Sequence, residues 1–293
     1  MATDELQGLR LAFVGSGTMA EAIIQALLRA GEVTPEQIVA SGPRIERGEK
    51  LQARYGVRIT TSNVTAASGA DIVVLAVKPQ VLLPVLAELR GHVQPATLVF
   101  SIVAGMPIAT ICAGLDHTAV VRTMPNTPAQ IGEGMTVWTA APAVTEPQRA
   151  QAQTILQTMG LEMYVTHEDA LNMATAVSGT GPTYVFLLME ALVDAAVHLG
   201  FSRRQARLLV VQTVLGSVKF AQRSDLHLAQ LRNMVTSPGG TSAEAIYQLE
   251  KGGMRTVLSK AIWAAYKKSR LLGERAQQPI EGPLEVGGEE NSS

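Results

Sequence analysis

Residues 9–31 of the chain read LRLAFVGSGTMAEAIIQALLRAG. The stretch begins with a short apolar run and passes through Gly15-Ser16-Gly17. It then continues with apolar residues at helical spacing until Gly31 provides a stop signal. An apolar run, a glycine-rich turn and a periodic apolar segment predict a β-strand, a tight turn and an α-helix in that order.

The glycine-rich turn has the composition of a dinucleotide-binding loop. The first glycine allows the tight turn, the second lets the backbone approach a pyrophosphate, and a third small residue lets helix and strand pack closely. A glycine-rich turn also serves plain packing, so the motif alone is weak evidence. If it binds a dinucleotide, the phosphates lie over the helix N-terminus, against Gly15, Ser16, Gly17, Thr18 and Met19.

Three further apolar runs follow, QIVASGPR (37–44), ADIVVLAVKP (70–79) and ATLVFSIVAG (96–105), separated by helical or turn-rich segments. This alternation predicts a doubly wound parallel sheet with crossover helices, the Rossmann arrangement. Ligands bind beyond the carboxyl ends of such strands. The candidate cofactor contacts there are Ser41, Ala76, Val77, Lys78, Pro79, Val103, Ala104 and Gly105.

The end of the second strand bears on which dinucleotide is used. NAD-binding proteins place an acidic residue there to hold the ribose hydroxyls. Here the sequence is SGPRIER, with Ser41, Arg44 and Arg47 and no carboxylate before Glu46. The arginines favour NADP(H), with NAD still possible, although both could be exposed charges on the next helix.

From Asp169 onward the pattern becomes helical. The segment TYVFLLMEALVDAAVHLG (183–200) is apolar around most of a helix and polar at Glu190, Asp194 and His198. A helix with so narrow a polar stripe must be buried nearly all round, which predicts that a second copy of the chain completes the core. The stripe could bind a metal, but no second ligand cluster accompanies it, so we predict no metal site.

Composition sets the protein class. The chain has 293 residues, of which 47% are apolar and 17% charged, with a formal net charge of −1. No secretory signal or uninterrupted apolar run of membrane-spanning length is visible, and the basic residues are scattered. We therefore expect a cytoplasmic protein that binds neither nucleic acid nor membrane, in which Cys112 is a small buried thiol.

The domain organisation follows from the same patterns. Residues 1–168 form the predicted Rossmann domain, and residues 169–275 an all-helical domain for substrate binding and dimerisation. Residues 276–293 are rich in Pro, Gly and Glu and are expected to be a disordered acidic tail.

Within the helical domain, residues 234–246 read MVTSPGGTSAEAI. Pro238 should end one helix, Gly239 and Gly240 open the backbone, and the next helix should begin near Thr241 or Ser242. Several backbone N–H groups can then point at one anion. The alternative is an ordinary helix-turn-helix connection capped by Thr241.

Five motifs now stand in one order: FVGSGTMAEAI (13–23), LAVKPQ (75–80), RTMPNTPAQIGEGMT (122–136), SGTGPTY (178–184) and VTSPGGTSAEAI (235–246). In order and spacing they resemble the pyrroline-5-carboxylate reductases, over residues 9 to about 273. The resemblance implies reduction of 1-pyrroline-5-carboxylate to L-proline with NAD(P)H. It also implies a Rossmann domain followed by a helical domain that interlocks into homodimers, which can assemble into decamers of five dimers.

The resemblance also assigns roles to residues. It places Ser242 against the ring nitrogen of the substrate and Ser237 with its carboxylate, alongside the open backbone of Gly239, Gly240 and Thr241. The cofactor contacts it implies are Asn63 near the adenosine ribose, Lys78, and the nicotinamide neighbours Pro125, Asn126 and Thr127. Residues 178–182 help to shape the pocket.

The sequence departs from the family pattern at two positions. Ser242 stands where threonine is usual, which keeps the hydroxyl but loses the methyl group that restricts its rotamer. Asn233 stands where an aspartate is frequent. With serine at position 242 we still expect activity, because the hydroxyl is kept, but the hydroxyl should be less tightly oriented.

Two other functions stay open at this point. One is a related NADP-dependent imine or β-hydroxyacid reductase, which would be expected to use a catalytic lysine in its helical half; Lys219 lies early in that half but in an unpromising setting, GSVKFAQ. The other is a non-catalytic NADP-binding regulatory protein, which would not need the Gly-Gly loop.

Overall fold

The computed structural model describes residues 4–277. Its sheet has eight strands in the spatial order β3-β2-β1-β4-β5-β6-β7-β8. The strands are β1 (Leu11–Val14), β2 (Ile38–Ser41), β3 (Arg58–Thr60), β4 (Ile72–Leu75), β5 (Leu98–Ser101), β6 (Val120–Met124), β7 (Gly134–Ala140) and β8 (Gly160–Tyr164). All neighbouring strands run parallel except β6 and β7, which are antiparallel.

Helices cover both faces of this sheet. They are α1 (Thr18–Ala30), α2 (Ile45–Tyr55), α3 (Asn63–Ala67), α4 (Pro79–Leu89), α5 (Ile108–Leu115) and α6 (Glu146–Gln157). Phe13 of β1 faces a core shared with α1, α2 and α6, whereas its neighbour Val14 faces a second core shared with α3, α4 and α5. Alternate residues of one strand therefore enter opposite cores, as strand geometry requires, and the sheet is doubly wound.

The rest of the chain is helical. It comprises α7 (Ala170–Ala174), a π-helical turn (Thr175–Gly179), α8 (Gly181–His198), α9 (Arg203–Gln222), α10 (Leu228–Met234), α11 (Thr241–Lys251) and α12 (Met254–Gln277). The predicted fold class, a Rossmann domain followed by a helical domain, is confirmed. The acidic tail lies beyond Gln277, outside the described residues.

The helical domain leaves large apolar side chains exposed. None of the residues of α8 is buried, and Phe186 and Leu187 are each more than 60% exposed. The continuous helical stretch Ala170–His198 is also long and apolar enough, by length and composition, to cross a membrane, although polar residues interrupt its apolar pattern. A single chain therefore presents an exposed apolar face of the kind that contacts another protein surface or a membrane.

A partly buried polar network joins the helical domain to the sheet. Arg122 in β6 is 4% exposed in its side chain and pairs with Glu168 at 2.7 Å. The same Glu168 oxygen accepts from the backbone N–H of Ile108 at the start of α5. Arg122 also donates to Asn172 in α7, which accepts from Ser269 in α12 as well. Through Glu168 and Asn172, the two partners of the Arg122 guanidinium, the network connects β6, α5, α7 and α12.

Two details differ from the sequence expectations. Strands β3, β6, β7 and β8 were not predicted, and the β6–β7 pairing is antiparallel within an otherwise parallel sheet. Helix α10 ends at Met234, four residues before Pro238. Thr236 explains the early end, because its hydroxyl donates to the carbonyl of Arg232 and its N–H to that of Asn233.

Candidate functional site

The first part of the site is the turn after β1. Gly15 has a left-handed φ of +104°, and a Cβ there would lie 2.6 Å from the carbonyl oxygen of Ala76. The N–H of Gly15 donates to Ser41, and that of Ala76 to Val14. The ends of β1, β2 and β4 therefore meet at Gly15, which is why no larger residue fits there.

The N-terminus of α1 opens directly from this turn. Gly17 is its N-cap and supplies no side-chain cap, and a Cβ at Gly17 would meet nothing within 4 Å. In residues 4–277, no hydrogen bond uses the backbone N–H of Gly17, Thr18 or Met19. Free N–H groups at a helix N-terminus beside open space fit the pyrophosphate of a dinucleotide.

Ser41 and Asn63 lie together at the end of β2. The Ser41 hydroxyl donates to the Asn63 side-chain oxygen at 2.8 Å, and the Asn63 amide donates to Glu88 of α4 at 2.8 Å. Two predicted cofactor residues 22 positions apart are thus in direct contact. Glu88 fixes which end of the Asn63 amide faces Ser41, a role that the sequence did not reveal.

The two predicted phosphate-binding arginines have different environments. Arg44 is the exposed N-cap of α2, and no hydrogen bond or ion pair of the described chain engages its guanidinium. Arg47, in contrast, donates from Nε to the backbone oxygen of Ser16 at 3.0 Å and pairs with Glu21. Arg44 alone of this pair is free to meet a ligand.

The other strand-end residues line the same edge of the sheet. Lys78 is the exposed N-cap of α4, whose first residue is Pro79, and Val77 is half-buried. Ala104 is half-buried beside Gly105, and a Cβ on Gly105 would lie 3.0 Å from the Leu272 side chain of α12. The loop after β5 therefore lies between the sheet and the last helix.

The loop after β6 reaches the helical domain. Pro125 is buried and Thr127 exposed. Asn126 donates to the carbonyl of Ser178 at 3.1 Å and accepts from the N–H of Met135 at 3.0 Å. Asn126, a predicted nicotinamide neighbour, is therefore hydrogen-bonded directly to the predicted pocket segment at 178–182.

The second glycine-rich segment is the loop between α10 and α11. Gly239 has φ +71°, and a Cβ at Gly240 would lie 2.5 Å from the Ser237 hydroxyl. Helix α11 begins at Thr241 with Gly240 as a cap that offers no side chain, so Thr241 is not the capping residue. Ser242 is half-buried.

The backbone of this loop is open to a ligand. Among the described residues, no hydrogen bond uses the N–H of Gly239, Thr241 or Ser242. The hydrogen bonds that the loop does make join it to its own neighbours, such as Gly240 N–H to Ser237. The arrangement is a second bare helix N-terminus suited to a carboxylate.

The remaining candidates do not add chemistry. Burial raises the pKa of the Cys112 thiol, and nearby Glu168 raises it further, so the group stays a protonated thiol at neutral pH. In the polar stripe of α8, Asp194 pairs with Arg203 at 3.0 Å. No group of three or more potential metal ligands occurs between residues 4 and 277.

The fold and the site define an oxidoreductase with a Rossmann sheet followed by a helical domain, in which the N-terminus of α11 has the geometry to bind an anion. A curated pyrroline-5-carboxylate reductase from Synechocystis sp. is 41% identical over 267 residues, covering 91% of this chain and 99% of the relative. The chain belongs to the pyrroline-5-carboxylate reductase family.

Family models and solved structures agree with that assignment. The model for pyrroline-5-carboxylate reductase dimerisation matches residues 168–272, and the model described as NADP oxidoreductase, coenzyme F420-dependent, matches residues 10–105. The enzyme from Coxiella burnetii has a TM-score of 0.82 at 37% identity, covering 90% of this chain and 98% of its own. That from Plasmodium falciparum, solved with NADP bound, has a TM-score of 0.84 at 31% identity, covering 91% and 99%.

Proposed function

We propose that this protein reduces the cyclic imine 1-pyrroline-5-carboxylate to L-proline with NADPH. The observation that carries the proposal is the bare N-terminus of α11, flanked by Ser237 and Ser242, in a chain whose first domain has a second bare N-terminus at α1. One N-terminus suits a pyrophosphate and the other a carboxylate. Family membership selects the imino acid among the possible anionic substrates.

The first domain is proposed to hold the dinucleotide. The N–H groups at Gly17, Thr18 and Met19 receive the pyrophosphate, and Gly15 lets the backbone approach it. Arg44 is the free cation for a 2′-phosphate, which an aspartate or glutamate in its place would repel. Asn63 and Ser41 receive the adenosine ribose; Ala76, Val77, Lys78, Pro79 and Ala104 line the strand ends, and Pro125 and Asn126 flank the nicotinamide.

The helical domain is proposed to hold the substrate. The carboxylate accepts hydrogen bonds from the free N–H groups of Gly239 and Thr241 and from the Ser237 hydroxyl. Gly240, whose own N–H donates to the Ser237 carbonyl, lets the carboxylate approach the backbone. The Ser242 hydroxyl donates to the ring nitrogen, which orients the imine and polarises its C=N bond. Bound NADPH supplies the hydride that the imine carbon receives. A serine hydroxyl is too weak an acid to be the sole proton source, so Ser242 relays a proton from water to the nitrogen.

The exposed apolar face of α8 is proposed to be the dimer interface. Its neighbour α9 also exposes large apolar residues, including Leu208 at 71%. An obligate dimer buries such surfaces, and the matching dimerisation model covers this part of the chain. We further propose that five dimers form a decamer in the cytoplasm.

The test is an absorbance assay of NADPH and NADH oxidation against a panel of cyclic imino acids. We expect turnover with 1-pyrroline-5-carboxylate, faster with NADPH. Ser242→Ala should lower kcat by about tenfold, the size of one hydrogen bond lost at the reacting group, while Ser242→Thr retains activity. Binding of NADPH without oxidation by any imine would instead support the regulatory alternative.

A further inference from the structure

We propose that Arg47 positions the dinucleotide-binding loop and is not a ligand of the cofactor's 2′-phosphate. This inference rests on the proposed function and reassigns a residue that the sequence offered as a phosphate ligand. Its side chain is 31% exposed and turns toward the loop after β1. There it donates from Nε to the carbonyl oxygen of Ser16 at 3.0 Å.

The hydrogen bond to Ser16 fixes a peptide plane in the loop. A trans peptide group is planar, with its C=O and N–H pointing in opposite directions. Holding the Ser16 carbonyl toward Arg47 therefore directs the N–H of Gly17 away from Arg47, into a fixed orientation. The Ser16 side chain also packs closely against Gly42, where an added Cβ would lie 2.5 Å from the Ser16 hydroxyl.

The second contact of Arg47 compensates a charge. Glu21 lies in the first turn of α1, close to the N-terminus proposed to receive the pyrophosphate, and its side chain is 17% exposed. A bare carboxylate there would repel phosphates. Instead, Glu21 pairs with Arg47 and, at 3.1 Å each, with Arg54 and the Tyr55 hydroxyl. The negative charge of Glu21 is thereby compensated.

Arg44 supplies the internal contrast. It lies one helical turn before Arg47, is exposed, and has no partner for its guanidinium among the described residues. A residue that binds the 2′-phosphate must discriminate NADPH from NADH. A residue that shapes the loop must affect both dinucleotides, because both carry the same pyrophosphate. The ratio of the two affinities separates these roles.

The experiment measures direct binding of NADPH and of NADH to the purified full-length protein by nucleotide fluorescence titration. We expect Arg47→Gln to weaken both dinucleotides by about tenfold or more, the effect of losing a hydrogen bond to a charged group, with an unchanged ratio. Arg44→Gln should weaken NADPH alone. The matched control Arg54→Gln, which shares Glu21 but does not touch Ser16, should change either affinity by less than about threefold.

A charge-balanced double variant controls for loss of affinity that is caused by a folding defect. Glu21→Gln with Arg47→Gln removes the buried carboxylate that Arg47→Gln would leave under-paired, while the bond to Ser16 stays lost. This double variant should have a melting temperature close to that of the wild type and should still bind both dinucleotides weakly. The single variant Arg47→Lys should recover part of the affinity.

The outcomes separate two failures. A selective loss of NADPH in Arg47→Gln, or unchanged affinity for both dinucleotides, would overturn the positioning role. Full recovery of both affinities in the double variant would also overturn it, because charge compensation alone would then suffice. Failure of the wild type to bind either dinucleotide would instead refute the proposed function itself.

Discussion

The side-chain amide of Asn126 donates a hydrogen bond to the backbone carbonyl of Ser178, 3.1 Å away, and its oxygen accepts from the N–H of Met135. Asn126 follows β6, Met135 lies in β7, and Ser178 belongs to the π-helical turn before α8. One half-buried side chain thus joins the sheet to the helical domain. Gly179 adds a close packing contact, since a Cβ there would lie 2.7 Å from the Met124 methyl group.

Replacing Asn126 with alanine should therefore weaken both stability and cofactor use. Two backbone groups lose their partner, which costs about 1–3 kcal/mol each when they stay dry. We expect a lower urea midpoint and a higher KM for NADPH. The exposed neighbour Gln130 provides the control, and Gln130→Ala should match the wild type in both measurements. Equal behaviour of the two variants would contradict the bridging role.

Alanine substitutions at the two glycines of the first loop, Gly15 and Gly17, should have different effects. Gly15→Ala places a Cβ against the Ala76 carbonyl in a left-handed conformation, so it should lower the melting temperature and cofactor affinity together. Gly17→Ala has ordinary backbone angles and open space, so its melting temperature should be unchanged. It should nevertheless lose NADPH affinity, because the added methyl group occupies the pyrophosphate position. Normal NADPH binding by Gly17→Ala would show that the phosphates lie elsewhere.

The parts of the fold that could be predicted are those encoded locally. Strand β1 is four apolar residues, all buried, and the turn and helix that follow are contiguous in sequence. Strand β6, VVRTM, was missed because Arg122 and Thr123 interrupt its apolar pattern. Arg122 can be buried in this strand because Glu168, 46 positions away in the sequence, supplies the opposite charge.

The same limit applies to the site. The glycine-rich loops around Gly15 and Gly240 could be recognised because turn geometry demands glycine at particular positions. The link between Asn126 and Ser178 spans 52 positions. That between Arg47 and Ser16 spans 31. Nothing in a single sequence pairs such residues, so the orientation of the two domains and the restraint on the loop had to come from the structure.

The Arg122–Glu168 pair should contribute strongly to stability. Glu168→Ala leaves a buried guanidinium with Asn172 as its remaining side-chain partner, and breaking a buried pair costs about 3 kcal/mol or more. We expect a loss of about 2–3 kcal/mol, discounted because Glu168 is one-third exposed. Asp116→Asn, which removes the exposed pair with Arg90, should cost less than about 1 kcal/mol. Urea unfolding of the two variants gives the comparison.

Asp169 should make stability sensitive to acid. Its pKa is lowered, first by the hydrogen bond from Asn172 and then by the Tyr266 hydroxyl and nearby Arg270 and Arg122. A carboxyl whose folded pKa is depressed stabilises the fold above its unfolded pKa of about 4, and this is lost as pH falls through the lower folded value. Asp169→Asn should therefore be less stable than the wild type at pH 7. The difference should vanish below the folded pKa; a difference that persists there would exclude an ionic origin.

The last prediction concerns the substrate loop, where Ser237 and Gly240 compete for the same space. A Cβ at Gly240 would lie 2.5 Å from the Ser237 hydroxyl, so Gly240→Ala must displace that hydroxyl or move the loop. We expect Gly240→Ala to raise KM for the imino acid by about tenfold, the size of one lost charge-assisted hydrogen bond, while KM for NADPH stays unchanged. Ser237→Ala should show a loss of similar size. The double variant should be no worse than either single one, because both substitutions remove the same contact. Losses that simply multiply would instead mean that Gly240 acts through its own backbone, by the approach of the carboxylate to the N-terminus of α11.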